Sequence, residues 1–347
     1  MPLDRNDASV AGVDLGSWRA RALAFEAEVA KAVVGQSRVI RLLTTAVFAR
    51  GHVLLEGDVG VGKTTLLRAA ARAIGGNYER VEGTIDLMPG DIVYHTYLAE
   101  DGRPRVEPGP VLKAGEDLAI FFFNEINRAR PQVHSLLLRI MAERSLTAFN
   151  REYQFPLLLV FADRNRVERE ETFELPAAAR DRFLMEIGIE APSDFESRRA
   201  LVFDARFHDT DHLIASVAPS VLAHDELNDV ARAIQTNVRT SDALERYVIN
   251  LWQAARYPAQ AGIELEGLDT SRLVTAGASP RGMSYLMRAV RVTAWLEGRD
   301  MAVPEDVRGV FFETMAHRIF FEPVYELRRD AIARQLINAI FETVPVP

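Results

Sequence analysis

No cysteine occurs in the 347 residues, which excludes disulfides, thiolate metal sites and cysteine nucleophiles together and suits a reducing compartment. No apolar run approaches the roughly 18 residues a membrane helix needs. The opening MPLDRNDASVAGVDLGSWRA lacks the continuous apolar stretch of a secretory signal and mixes acids with Gly and Ser, so residues 1–20 are expected to be a flexible tail and the protein cytoplasmic. A basic surplus is missing too. With 41 Lys and Arg against 49 Asp and Glu, the net charge of -8 argues against broad nucleic-acid binding. The seven histidines form no H-E-x-x-H pattern, and His208 and His212, four apart, read as a solvated surface pair. Low-complexity segments and internal repeats are also lacking.

What is present divides in two, as expected for a chain too long for one hydrophobic core. Short apolar runs alternate with helical patterns in the first part: His52 to Gly57, Ala119 to Asn124, Pro156 to Ala162 and Arg182 to Ile189. Runs apolar on both faces fit strands of a parallel sheet covered by helices. Farther on, SDALERYVINLWQAAR, SPRGMSYLMRAVRVTAWLEG and VPEDVRGVFFETMAHRI carry one-face apolar spacing behind the start signals Ser241, Ser279–Pro280 and Pro304. GRD at Gly298 to Asp300 reads as a helix stop. The expected organisation is an α/β nucleotide-binding domain over 21–208 and a helical domain over 209–347.

GDVGVGKT, Gly57 to Thr64, fits G-x-x-x-x-G-K-[ST] between a strand and a helix. Its glycines let successive N–H groups face phosphate oxygens, and the helix that follows adds its positive end. The cradle comprises Gly57, Asp58, Val59, Gly60, Val61, Gly62, Lys63, Thr64 and Thr65. Lys63 reaches the outer phosphates, and Thr64 offers a hydroxyl to magnesium; ATP is the expected ligand.

About sixty residues on, FFFNE brings Asn124 and Glu125 to the end of a buried strand, where ligands of a parallel sheet collect. Glu125 is placed to activate the attacking water, and Asn124 stands where an acid usually serves the metal ion. Its amide oxygen still accepts a hydrogen bond, but the charge is gone. A unit charge pair about 4 Å apart at an effective dielectric of about 20 is worth roughly 4 kcal/mol gross, less after solvation. Weaker magnesium binding and a slow ATPase are expected, one that Glu125→Gln arrests and Asn124→Asp accelerates at limiting magnesium.

These motifs, together with VVGQ, TIDLMPGDI, EPGPV, NEINRARPQVHSLLLRIMAERSLT, ADRNRVEREETFELPAAARDRFL and GASPRG, give a chain that resembles the MoxR family of AAA+ ATPases from about Val33 to its end. The resemblance implies an αβα P-loop domain followed by an all-α lid. It implies a ring, usually a hexamer, with ATP between subunits, and a role in remodelling or maturing client proteins that depend on a metal or other cofactor, often beside a von Willebrand factor A domain partner. It places Val33, Val34, Gly35 and Gln36 near adenine and makes Asn165 the first sensor, Arg182 the arginine given to a neighbour's ATP, and Arg281 the second sensor. An arginine at the transferring phosphate offsets developing charge. Family members usually have aspartate where Asn124 stands, proline at Arg166, and glutamate and glycine at Ala177 and Glu171.

DLMPGDIVYHTYLAEDGRPR has turn signals at Pro89-Gly90 and Asp101-Gly102, and ERSLTAFNREYQFP reads as a hairpin around Phe149 to Arg151. Each is either a pore or client contact or an ordinary surface hairpin. Other functional readings are a nucleotide-gated assembly module with little hydrolysis, a nucleic-acid motor and a small-molecule kinase. The acidic charge opposes the motor, and the long helical C-terminal part has no place in the kinase.

Overall fold

Five strands form one parallel sheet in a computed structural model, which describes residues 12–165 and 172–347. They are β1 (His52–Gly57), β2 (Asn77–Glu82), β3 (Leu118–Asn124), β4 (Leu159–Asn165) and β5 (Phe183–Gly188), in spatial order β2-β3-β4-β1-β5. Helices cover both faces, so the middles of the central strands are apolar. Phe122 and Leu55 join the core under helices Ser37–Phe48 and Lys63–Ile74, while Phe121, Phe123 and Val160 face helix Pro131–Glu143. Burying each such side chain contributes about 1.5–3 kcal/mol.

The sheet departs from the apolar pattern at two places. β2, NYERVE, is an edge strand whose half-exposed polar side chains hide it from a search for apolar runs. β4 begins after a turn at Pro156–Leu157 and runs on through Asp163, Arg164 and Asn165. Polar residues can end this buried strand because they find partners: Arg164 bridges Glu56 of β1 at 3.2 Å and Glu186 of β5 at 2.8 Å. Although burial opposes it, Arg164 holds the Glu186 carboxyl down at about 2. The ion pairs tie three strand ends together beside the phosphate loop.

Of the expected tail over 1–20, residues 1–11 lie outside the described residues, and its end is helical. Helix Leu15–Ala30 starts inside it, capped by Asp14, which accepts from the N–H groups of Gly16 and Ser17. Trp18 is buried against Phe48, their ring centroids 6.3 Å apart, and the Trp295 indole donates to the Leu15 carbonyl at 3.0 Å.

The C-terminal helices lie where the spacing predicts, at Asp242–Arg256, Pro280–Leu296 and Pro304–Met315, with Ser241 accepting from the Leu244 N–H and Ser279 from the Gly282 N–H. Gly298, at φ 78°, stands in the GRD stop. The apolar interior is continuous from the sheet into these helices, through Phe48, Leu184, Trp295 and Phe311. Both inserted hairpins form, Tyr94–Leu98 with Pro104–Pro108 and Ser145–Ala148 with Arg151–Gln154. Phe149 and Asn150 turn the second with φ of 51° and 57°, and Phe149 packs on Tyr94 at 5.7 Å. The expected turn at Pro89-Gly90 is instead the start of a short helix, Pro89–Val93. Arg166 and Glu171 lie outside the described residues, and Ala177 opens the helix Ala177–Arg180.

Candidate nucleotide-binding and hydrolytic site

β1 runs directly into the phosphate loop, and the loop into helix Lys63–Ile74. Gly57 has no room for a side chain, since a Cβ there would lie 2.3 Å from the Ile189 carbonyl oxygen, while Gly60 and Gly62 take φ of 82° and 91°. The helix has no side-chain cap at its N-terminus, which leaves its first N–H groups to an anion. Lys63, 6% exposed, points inward, donating to the carbonyls of Gly57 and Asp58 at 2.8 Å each and to Asn165 Oδ1 at 2.7 Å.

Asn165 joins the lysine to the carboxylate. Its Nδ2 donates to Glu125 Oε1 at 3.0 Å, and Arg128 donates to the other Glu125 oxygen at 3.0 Å. Glu125 has a left-handed backbone, φ 51° and ψ 50°, a conformation uncommon for residues other than glycine. Two neighbours hold it there. Asp163 accepts from the Glu125 N–H at 2.6 Å, and Gly83 lies so close that a Cβ would meet the Glu125 carbonyl oxygen at 2.1 Å. Burial pushes the Asp163 carboxyl up to about 6, against the Glu125 N–H and Lys63, which favour its charged form.

The Thr64 hydroxyl donates to Asn124 Oδ1 at 3.2 Å, and the Asn124 amide N–H donates to Glu82 at the end of β2. Thr64 and Asn124 therefore present hard oxygen donors side by side, a set suited to magnesium, which keeps several waters and takes phosphate oxygens. Among the described residues no group of three or more His, Asp or Glu could hold a metal alone, so an ion here would come with the phosphates.

A cavity of about 360 Å³ opens beside the loop, lined by Val33, Val34, Gln36, Val59 to Gly62 and Thr65 together with Pro192, Phe207 and Leu213. Gln36 is fixed by donating to the Glu190 carbonyl at 2.7 Å, and Gly35, at φ 71°, backs onto Pro192 too closely for a side chain. The mixed apolar and polar lining suits a purine base.

Arg182 and Arg281 are not in this cluster. Arg182 directly precedes β5, whose first residue, Phe183, pairs with His52, whereas the phosphate loop follows the other end of β1. The length of β1, about 17 Å over five residue steps, separates the end of the sheet beside Arg182 from Gly57, where the phosphate loop begins. Arg182 donates to the Ala178 carbonyl at 2.6 Å, and Arg281 lies beside Asp181 at 3.2 Å. Asp181 also takes the buried Arg318 at 3.0 Å. Arg281 is therefore not on the phosphate loop of its own chain but shares a surface with Arg182, and it is half exposed.

Sequence reasoning missed Glu82, Asp163, Phe207 and Leu213. Glu82 lies on the unrecognised edge strand. Asp163 carried a usable signal, two residues before Asn165 on the same strand and so on the same side of its pleat.

Residues 52–185 match the family described as "ATPase family associated with various cellular activities (AAA)", and 267–336 match an AAA lid domain. The chain is 68% identical to Protein MoxR of Methylorubrum extorquens over 96% of this chain and 97% of that one. It is 61% identical to Protein MoxR of Paracoccus denitrificans over 96% and 98%, and 33% identical to Chaperone MoxR1 of Mycobacterium tuberculosis over 92% and 81%. The crystal structure of a putative ATPase from Cytophaga hutchinsonii superposes with a TM-score of 0.79 at 30% identity, covering 97% of this chain and all of the other. Phosphate loop, strand-end Glu125, sheet order and full-length similarity agree: the chain belongs to the MoxR family of AAA+ ATPases.

Proposed function

We propose that this chain binds Mg-ATP at boundaries between the subunits of a ring, a hexamer, and uses hydrolysis to remodel or mature a protein client that depends on a metal or other cofactor. A von Willebrand factor A domain partner and a cytoplasmic location belong to the same reading. No helix among the described residues is long and apolar enough to cross a membrane. The observation that carries the proposal is the bridge from Lys63 through Asn165 to Glu125, which sets a phosphate-binding cation and a water-activating carboxylate on one side chain.

In this reading Gly57 to Thr65 hold the triphosphate and Val33 to Gln36 the base. Glu125, oriented by Asn165, takes a proton from the attacking water. Oxygen bonds to the γ-phosphorus, and the bond to the bridging oxygen breaks, leaving ADP and phosphate. Thr64 and Asn124 would hold magnesium, whose chemistry is charge neutralisation on the phosphates. Arg182 and Arg281 serve the ATP of the neighbouring subunit, because each chain keeps them away from its own phosphate loop. The name of the mycobacterial relative, a chaperone, supports a protein client.

Mixing variants tests this. Lys63→Ala and Arg182→Ala should each be silent alone. In co-assembled 1:1 mixtures about a quarter of the boundaries join a sound phosphate loop to a sound arginine, so phosphate release should return to about a quarter of wild type. Continued silence in confirmed mixed rings would refute shared sites. The neutral Asn124 favours a second reading, a nucleotide-gated assembly module with little hydrolysis, which equal phosphate release by wild type and Glu125→Gln would establish.

A further inference from the structure

An amide at position 124 poses a problem that a carboxylate does not. Its two ends differ, and only the oxygen can face Thr64 and a cation. Thr64 cannot enforce that choice, because a hydroxyl both donates and accepts. Glu82 can. The register of β2 on β3 sets Glu82 directly beside Asn124, and an ionised carboxylate accepts only, so Asn124 must turn its Nδ2 toward Glu82 and its Oδ1 toward Thr64. Arg80 pairs with the second Glu82 oxygen at 2.7 Å and rests over the Phe122 ring, 5.5 Å from its centroid, which fixes the carboxylate in place. The carboxylate on the opposite side, Asp163, is engaged by the Glu125 N–H.

We propose that Glu82 is the positioning residue that lets Asn124 serve the magnesium ion, by locking the amide oxygen toward Thr64. This deepens the Mg-ATP reading and rests on it. An aspartate at this position would present the same oxygen at either end and need no such lock. With Asn124 in place Glu82 is therefore required. In an Asn124→Asp variant it becomes dispensable, even unfavourable, since it would sit as a second negative charge at the site.

The test is a magnesium titration of the full-length chain binding a fluorescent, non-hydrolysable ATP analogue, with the half-saturating magnesium concentration as readout. E82A should raise that concentration about three- to tenfold, the range for losing one charge-assisted hydrogen bond at a partly exposed site. Binding of the analogue without metal should be unchanged, which shows an intact fold. In the Asn124→Asp background, E82A should leave the magnesium requirement unchanged or lower it. An unaltered requirement for E82A, an equal loss in both backgrounds, or weakened metal-free binding would overturn the role of Glu82 while leaving the Mg-ATP reading intact. A wild-type chain that binds no analogue at any magnesium concentration would overturn both.

Discussion

His52, at the foot of the strand that carries the phosphate loop, should make the protein sensitive to acid. Its ring is 5% exposed; the Val160 N–H donates to Nδ1 at 3.0 Å, so the ring proton sits on Nε2, which faces the Met141 carbonyl at 3.3 Å. Burial, then the nearby cations Arg144, Arg50 and Arg288, hold its pKa at about 3 against an ordinary 6.5. The folded state keeps the ring neutral while the unfolded chain takes up a proton below pH 6.5. Stability is therefore fully present above that pH and is lost as pH falls toward 3. At about 1.4 kcal/mol per unit once the unfolded ring is charged, a drop from pH 6.5 to 4.5 removes about 2 kcal/mol, a large share of a domain's usual 5–15 kcal/mol. His52→Asn keeps an acceptor for Val160 but cannot charge. Urea unfolding followed by tryptophan fluorescence should show the variant less stable by about 1–3 kcal/mol at pH 7, with the two curves converging toward pH 4.5. Parallel curves across that range would refute the assignment, since every other titrating group is common to both proteins.

Asn165→Ala should reduce the rate of phosphate release about a hundredfold or more while changing the affinity for ATP little, because Glu125 loses its orientation but Lys63 keeps two carbonyls; steady-state kinetics with a separate binding assay checks this, and an unchanged rate would contradict it. Asp181→Ala should destabilise the chain by about 3–5 kcal/mol in urea unfolding, because it strips the 1% exposed Arg318 of the carboxylate it is paired with; a change below about 1 kcal/mol would show that the carbonyls around Arg318 suffice.

Much of this architecture can be read from the residues. β1 and β3 are apolar because both faces are covered, and their polar ends mark where a ligand meets the sheet. The caps Ser241 and Ser279 announce their helices by chemistry that acts within four residues. What escaped depends on contacts between distant segments. β2 is a strand because β3 pairs with it, and its own composition says nothing of that. Asp163 holds the Glu125 backbone through a juxtaposition of neighbouring strands. The side of the sheet on which Arg281 lies is set by the packing of its helix, far beyond the reach of the GASPRG motif.

That packing has a mechanical consequence. The helix bearing Arg281 is packed onto the base of the sheet: its Trp295 lies 4.9 Å from Phe48, its Arg288 grips the Ala49 carbonyl, and the inaccessible Arg318, stacked over its Tyr285 at 5.3 Å, holds the carbonyls of Phe183 and Leu184. Swinging this helix alone toward the phosphate loop would break these contacts. Any displacement of this helix should therefore carry the sheet with it as one block.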